Sequence, residues 1–305
     1  MSLPRRILKG TTYLLTRRCT RRMFLLRPSK ETNQIFLYCL AHAAETTGVL
    51  LHAFSVLSNH HHIVLTDPEG RLPDFTRCLH QLVSKCINAS LGRWENFWEI
   101  IQPSQVALEE DEDVLDKIIY TICNPVSSFL VDSSKKWPGL CTTPDVMQKG
   151  EFVVNKPKVF FALKGKMPEK ITLRITRPNI MKHLSDRELT AVIKSRAEEK
   201  EKELRKKAKT NNIHFLGARR VSKQKTFHSP KTIAPRRNLK PRVAAKNKWR
   251  RIEALRRLQS WVKAYREALK QWKVGAKDVI FPAGTYAMVH HFGVTSQSQS
   301  ISLET

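Results

Sequence analysis

The first 125 residues switch repeatedly between a two-residue and a near-four-residue apolar repeat. Thr11-Thr-Tyr-Leu-Leu-Thr-Arg-Arg18 is rich in β-branched and aromatic residues and predicts a strand. Residues 30–47 place Ile35, Phe36, Cys39, Leu40 and Ala43 at helical spacing, with Gly48 as the stop. Val49 to Leu57 then predicts a strand, Ser58-Asn59 a turn, and His60 to Thr66 a second strand, together a hairpin. A second amphipathic helix is expected over 73–90, with Phe75, Cys78, Leu79, Leu82 and Cys86 on one face. The acidic run at 109–113 leads into a third, which should end near Asn124, because a residue before proline is biased out of helical geometry. Strands interleaved with helices around a tight hairpin predict an α+β sandwich on a central antiparallel sheet.

Beyond residue 150 the pattern changes. Lys170 to Thr176 alternates as a strand, and Ser185-x-x-Glu188 has the form of a capping box opening a charged helix to about residue 208. Residues 217–248 hold three prolines, many basic residues and little apolar periodicity, which predicts an irregular segment. A last helix over about 249–272 carries Leu255, Leu258, Val262, Tyr265, Leu269 and Trp272 as a stripe for docking on the body or on a partner helix.

Charge sharpens the division. Residues 1–150 carry 17 basic and 15 acidic side chains, residues 151–305 carry 37 and 12. A near-neutral half joined to a strongly basic, mainly helical extension points to a polyanion partner, with nucleic acid first because its phosphates are neutralised by Lys and Arg. The basic candidates are Arg17, Arg18, Arg21 and Arg22 after the first strand, and Arg236, Arg237, Lys240 and Arg242 in the irregular segment. Trp249, Trp261 and Trp272 could stack on bases, but their helical setting favours packing. No apolar run approaches the roughly 18–20 residues that span a bilayer, and no secretory signal is evident. With six scattered cysteines and no Cys-x-x-Cys pair, the chain reads as a reduced cytoplasmic protein, nucleoid-associated and not membrane-bound.

Two local patterns carry chemistry. In a strand His60 and His62 share a face about 7 Å apart while His61 points the other way. Such a pair can converge on a cation, or serve as ordinary core histidines. The binuclear-hydrolase pattern His-x-His-x-Asp-His is excluded, since Val64 and Leu65 fill its last two positions. Tyr120 and Asn124 are four apart and share a helical face. An amide oxygen can complete a cation's shell and a phenol beside it can be aimed at what the cation polarises; packing plus a helix end is the plainer reading of the same two residues.

Taken together, Val56-Leu-Ser-Asn-His60-His-His62-Ile-Val-Leu65, Tyr120-Thr-Ile-Cys-Asn124-Pro125 and Lys135-Lys-Trp-Pro-Gly-Leu140 resemble the motifs of HUH-class single-tyrosine transposases, in particular relatives associated with repetitive extragenic palindromic elements. The resemblance covers residues 5–145, about half the chain. It implies a ferredoxin-like or RRM-like sandwich over 1–147; residues 148–305 exceed the family's minimal length, and their charge, not the resemblance, marks them as a basic DNA-binding region. The resemblance implies Tyr120 as nucleophile and His60, His62 and Asn124 as ligands of Mg²⁺ or Mn²⁺. The implied reaction is nicking and strand transfer of single-stranded DNA, carrying a hairpin, through a 5′-phosphotyrosine, by a monomer or homodimer. The chain departs from the family in His61, where an aliphatic residue is usual, and in Ser127-Ser128, where relatives place Arg-Ala. The competing expectation is a single-stranded DNA- or RNA-binding protein on the same fold that does not cut.

Overall fold

The computed structural model describes residues 4–162, 165–232 and 241–299. Its architecture is mixed α+β: a central five-stranded mixed sheet with helices on both faces and a separate two-stranded ribbon. In chain order the elements begin β1 (Thr11–Arg18), α1 (Lys30–Thr47), β2 (Leu50–Leu57), β3 (His60–Asp67), α2 (Leu72–Ser90) and β4 (Ser104–Leu108). They continue α3 (Asp111–Ile122), α4 (Asn124–Ser127), α5 (Pro144–Lys149), β5 (Glu151–Asn155), β6 (Lys170–Arg174) and α6 (Asp186–Thr210). The last are α7 (Ala218–Ser222), β7 (Val243–Ala244), α8 (Lys248–Lys273) and α9 (Ala287–Phe292).

The sheet order is β2-β3-β1-β4-β7. The first four strands pair antiparallel, with Leu57 opposite His60 across the predicted Ser58-Asn59 turn, and Thr16 opposite His62. Period-2 alternation then sorts the side chains of β3. Ile63 and Leu65 enter the core beneath α1 and α2, whereas Val64 packs with Val114, Leu115 and Ile118 of α3. The tight turn fixes this register, and a slip of one residue would move every histidine of β3 to the other face.

Helix boundaries follow local chemistry. Ser29 caps α1 by accepting from Thr32 N, and Gly48 closes it in the left-handed region at φ 72°, where a side chain would be strained. Glu110 and Asp113 form a reciprocal capping box at the start of α3, and Ser185 and Glu188 form the predicted one at α6. Pro125 ends α3 as expected, but the chain re-enters a helical turn at once: Asn124 opens α4 with the proline in its first turn, a position where a missing N–H costs nothing.

The basic half is not a loose appendage. Part of the stretch expected to be irregular is ordered. Residues 218–222 form α7, and β7 lies parallel to β4, pairing Val243 with Ala107 and Ala244 with Leu108. The periodicity at 217–248 is too short to reveal this, because a two-residue strand borrows its hydrogen bonds from the edge it joins. The expected stripe of α8 docks in part: Tyr265, Leu269 and Trp272 pack with Val279, Phe281 and Met288, while Leu255 is exposed. Ala254, Trp261 and Ala268 are the buried positions beside that stripe. The indole of Trp261 donates to Ala283 O at 2.7 Å, which brings this face of the helix down. At the other edge of the sheet, β2 is covered by residues 140–142, with Val56 N donating to Leu140 O and Thr142 N to Phe54 O.

Candidate active site

The register places the two motifs together. His60 and His62 project from one face of β3 with ring centroids 5.0 Å apart and planes perpendicular. The ring of Tyr120, from the last turn of α3, meets His62 edge-on at 5.2 Å. Asn124 follows one turn later and is buried to 3% exposure. His62 is nearly as deep at 6%, but Tyr120 keeps 43% of its surface open, so the phenol is reachable from solvent while the donors behind it are not.

Each imidazole is held by its Nδ1. That of His60 hydrogen-bonds Asn59 Oδ1 at 2.7 Å, and that of His62 meets Thr16 Oγ1 at 2.8 Å. An amide oxygen only accepts, so His60 carries its proton on Nδ1 and its Nε2 is a bare lone pair. The Thr16 hydroxyl can donate or accept; where His62 Nδ1 donates to it, Nε2 is left bare there too. His62 Nε2 and Asn124 Oδ1 are both buried without a hydrogen-bond partner. Buried acceptors are seldom left so.

The electrostatics keep the imidazoles neutral. Burial, helped by the Arg18 and Arg22 guanidiniums, lowers the pKa of His60 to about 4. Burial and the neighbouring His60 and His61 push His62 well below the usual range. Only the neutral form can ligate a metal, so both are ready for it at neutral pH. Burial raises the pKa of Tyr120, and a hydrogen bond from the Asn124 side chain pulls the other way. Two imidazole nitrogens and an amide oxygen suit a borderline divalent cation, and two of the three donor atoms are the orphaned ones. Among the described residues no three His, Cys, Asp or Glu side chains gather as a metal site; this candidate set uses an amide instead.

The chain matches no known family profile and no curated protein. Among solved structures it is similar to a REP-associated tyrosine transposase bound to a REP hairpin, at 21% identity and a TM-score of 0.42, over 56% of this chain and 99% of that one. It is also similar to a candidate transposase from Deinococcus radiodurans R1, at 19% identity and a TM-score of 0.29, over 37% of this chain and 89% of that one.

The arginines after the first strand divide between the two faces. Arg18 is exposed and sits directly across from His60, with Glu99 at 3.8 Å. Arg21 is exposed, and Arg22 is turned to Thr232, donating to its carbonyl at 2.5 Å. Arg17 leaves this group altogether. Its guanidinium lies 5.4 Å over the Trp98 ring and donates to His80 Nδ1 at 2.9 Å on the opposite face of the sheet. Because arginine can only donate, His80 accepts there and gives its own proton from Nε2 to His61 Nε2, 3.0 Å away. His61 is thus fully buried between Phe36 and Trp98 and faces away from the candidate centre. Arg242 lies by β7, donating to Pro4 O at 3.4 Å. Arg236, Arg237 and Lys240 fall outside the described residues. Of the three tryptophans considered for stacking, Trp261 is buried, Trp272 packs on Phe292 and Trp249 is exposed.

Thr16, Asn59 and His80 were not singled out from the sequence. Each depends on cross-strand register or tertiary packing, and a threonine in a strand carries no local mark of the partner opposite it. Trp137 of the Lys-Trp-Pro-Gly motif proves structural: its indole donates to Val56 O at 3.1 Å and closes over β2.

Proposed function

We propose that the protein is a metal-dependent, single-tyrosine DNA nicking and strand-transfer enzyme of the HUH class. The observation that carries this reading is the pair of buried, unpartnered acceptors, His62 Nε2 and Asn124 Oδ1, beside a solvent-reachable phenol. The strand order β2-β3-β1-β4 with two intervening helices supports the ferredoxin-like arrangement expected for residues 1–147. Residues 148–305 are read as a DNA-binding region, and the substrate as single-stranded DNA with a hairpin.

His60, His62 and Asn124 would hold Mg²⁺ or Mn²⁺, which supplies Lewis-acid polarisation of a phosphodiester. Tyr120 Oη attacks phosphorus while the P–O3′ bond breaks. The phenol gives up its proton and the departing 3′ oxygen gains one, so the products are a 5′-phosphotyrosine and a free 3′-OH. A 3′-OH attacking that phosphotyrosine reverses the exchange and joins strands without ATP. Asn124 stabilises the phenolate by hydrogen bonding to it, and Arg18, across from His60, is placed to hold a phosphate.

The test incubates wild type and Tyr120→Phe with end-labelled single-stranded hairpin oligonucleotides, including the flanking DNA of the coding sequence, in Mn²⁺. An SDS-stable adduct bearing the DNA 3′ of the nick, absent from Tyr120→Phe and in EDTA, is expected. Cleavage by both proteins without an adduct would remove Tyr120 as nucleophile. Tight binding without cleavage by either would replace the enzyme with a binding module.

A further inference from the structure

Helix α8 carries nine basic and two acidic side chains in 26 residues. At 100° per residue these fall into two sets. The buried face holds Ala254, Trp261 and Ala268, and the two arginines flanking it are tied to the body: Arg250 to Glu110 at 3.3 Å and Arg257 to Glu109 at 2.5 Å. Arg256, Lys263, Arg266, Lys270 and Lys273 cluster on the opposite side, all exposed. Among the described residues none of these five has an ion-pair or hydrogen-bond partner. The acidic side chain nearest this stripe, Glu267, is hydrogen-bonded by Gln271.

A stripe of this kind could be a solvated face, a membrane-surface helix or a polyanion grip. Membrane binding needs the apolar face of the helix for the bilayer, and here that face is closed over Val279, Phe281 and Met288. Simple solvation does not account for the segregation: Arg250 and Arg257 meet acids of the body, Arg251 donates to Ala245 O, and the five outward cations are left unmatched. Arg256, Lys263 and Lys270 recur every seven residues, about 10.5 Å apart, and the five charges span about 25 Å of a rigid rod. That presents a straight row of point charges with no pocket for a base edge, which suits a smooth, regularly charged backbone.

We propose that the outward face of α8 grips the phosphate backbone of duplex DNA, as a sequence-independent clamp on a paired stem. It is a site separate from Tyr120, since α8 docks on Glu109 and Glu110 just past the end of β4, and that end pairs with the Tyr13 end of β1 rather than the Arg18 end beside His60. The inference rests on the proposed function only for taking DNA as the substrate.

The experiment measures binding of the full-length protein to a blunt 20-base-pair duplex across a salt series. One variant changes Arg256, Lys263, Arg266, Lys270 and Lys273 to Gln. A charge-matched control changes the exposed Lys194, Lys202, Lys206, Lys207 and Lys209 of α6 to Gln. Each lost phosphate contact lowers the slope of log K against log salt by about 0.9. The α8 variant should therefore lose about three to five units of slope and on the order of 100-fold in affinity at low salt, and the α6 control far less. Equal losses in both variants would reduce the effect to net charge and overturn the proposal, as would wild-type affinity in the α8 variant. Circular dichroism melts check that both stay folded. Tyr120→Phe, which removes the nucleophile and leaves α8 intact, should bind the duplex as wild type does, so failure of one proposal is distinguishable from failure of the other.

Discussion

Thr16 Oγ1 and His62 Nδ1 lie 2.8 Å apart, joined across the β1–β3 pair where the two residues are register partners. The contact holds the ring that meets Tyr120 edge-on, and the Nε2 of that ring is buried without a partner. On the proposed metal-site reading Thr16 is a positioning residue: it touches no substrate but holds the orientation of a donor that would.

Thr16→Val keeps the shape and removes the hydroxyl. Outer-shell partners of ligating histidines are worth about 10–100-fold in metal affinity. Mn²⁺ binding, followed by electron paramagnetic resonance or calorimetry, should weaken by about that factor in Thr16→Val and recover in Thr16→Ser. An unchanged affinity in the valine variant would leave Thr16 as packing alone.

Tyr120 should be a reluctant acid when no metal is present. Burial raises its pKa above the ordinary phenol value near 10, so fewer than about one molecule in a thousand carries the phenolate at pH 7. In EDTA, the difference in absorbance at 295 nm between wild type and Tyr120→Phe should titrate with a midpoint above 10. Removing the Asn124 side chain takes away the one hydrogen bond that favours the phenolate, so Asn124→Ala should move the midpoint higher still. A midpoint at or below 10 in wild type would mean that the packing around the half-open ring does not desolvate its hydroxyl.

The parts of this arrangement that were legible in sequence are those with local periodicity. Strands β1 to β3, helices α1 and α2 and the Ser58-Asn59 turn follow from apolar spacing, and the opposite facing of His61 follows from the two-residue repeat. The meeting of His62 with Tyr120 was legible only through the resemblance of the two motifs, because nothing in the intervening residues states that α3 crosses β3. Three features were not legible. Thr16 and Asn59 are marked by register, which a sequence does not print. Arg17 looks like its neighbour Arg18 but points to the other face, where Trp98 and His80 receive it. In α8, Tyr265, Leu269 and Trp272 of the expected stripe do pack, but the burial of Trp261 depends on its finding Ala283 O, which the spacing does not state.

Several histidines buried in neutral form should make the fold sensitive to mild acid. The pKa of His52 is lowered to about 4 and that of His61 to about 3, both by burial, and His80 lies well below its usual range. Their unfolded value is near 6.5. Below that pH the unfolded chain takes up protons that the native state refuses, so stability is lost as pH falls from about 6.5 towards the native values. Each such histidine should cost about 1 kcal/mol between pH 7.5 and 5.5. Urea denaturation at the two pH values should show a combined loss of about 2 kcal/mol or more, and His61→Phe should reduce the difference by about one histidine's share. A pH-independent stability across this window would mean that these side chains are solvated.

Gly139 should be irreplaceable for a reason unconnected with backbone freedom. A Cβ added there would lie 2.5 Å from Trp137 Nε1 and 2.9 Å from its Cε2. That indole is buried and donates to Val56 O, and the chain beyond it covers the outer edge of β2. Gly139→Ala must displace either the ring or the backbone, an overpacking that typically costs about 1–3 kcal/mol. The loss should appear as a lower melting temperature. It should also raise amide exchange at Val56 and Thr142, whose N–H groups bond across this edge. Trp137→Phe, which keeps an aromatic ring but removes the Nε1 donor and the atoms that clash, should expose the same amides, so the double variant with Gly139→Ala should be less damaging than the sum of the two single changes. Strict additivity would show that the glycine and the tryptophan act on the edge independently.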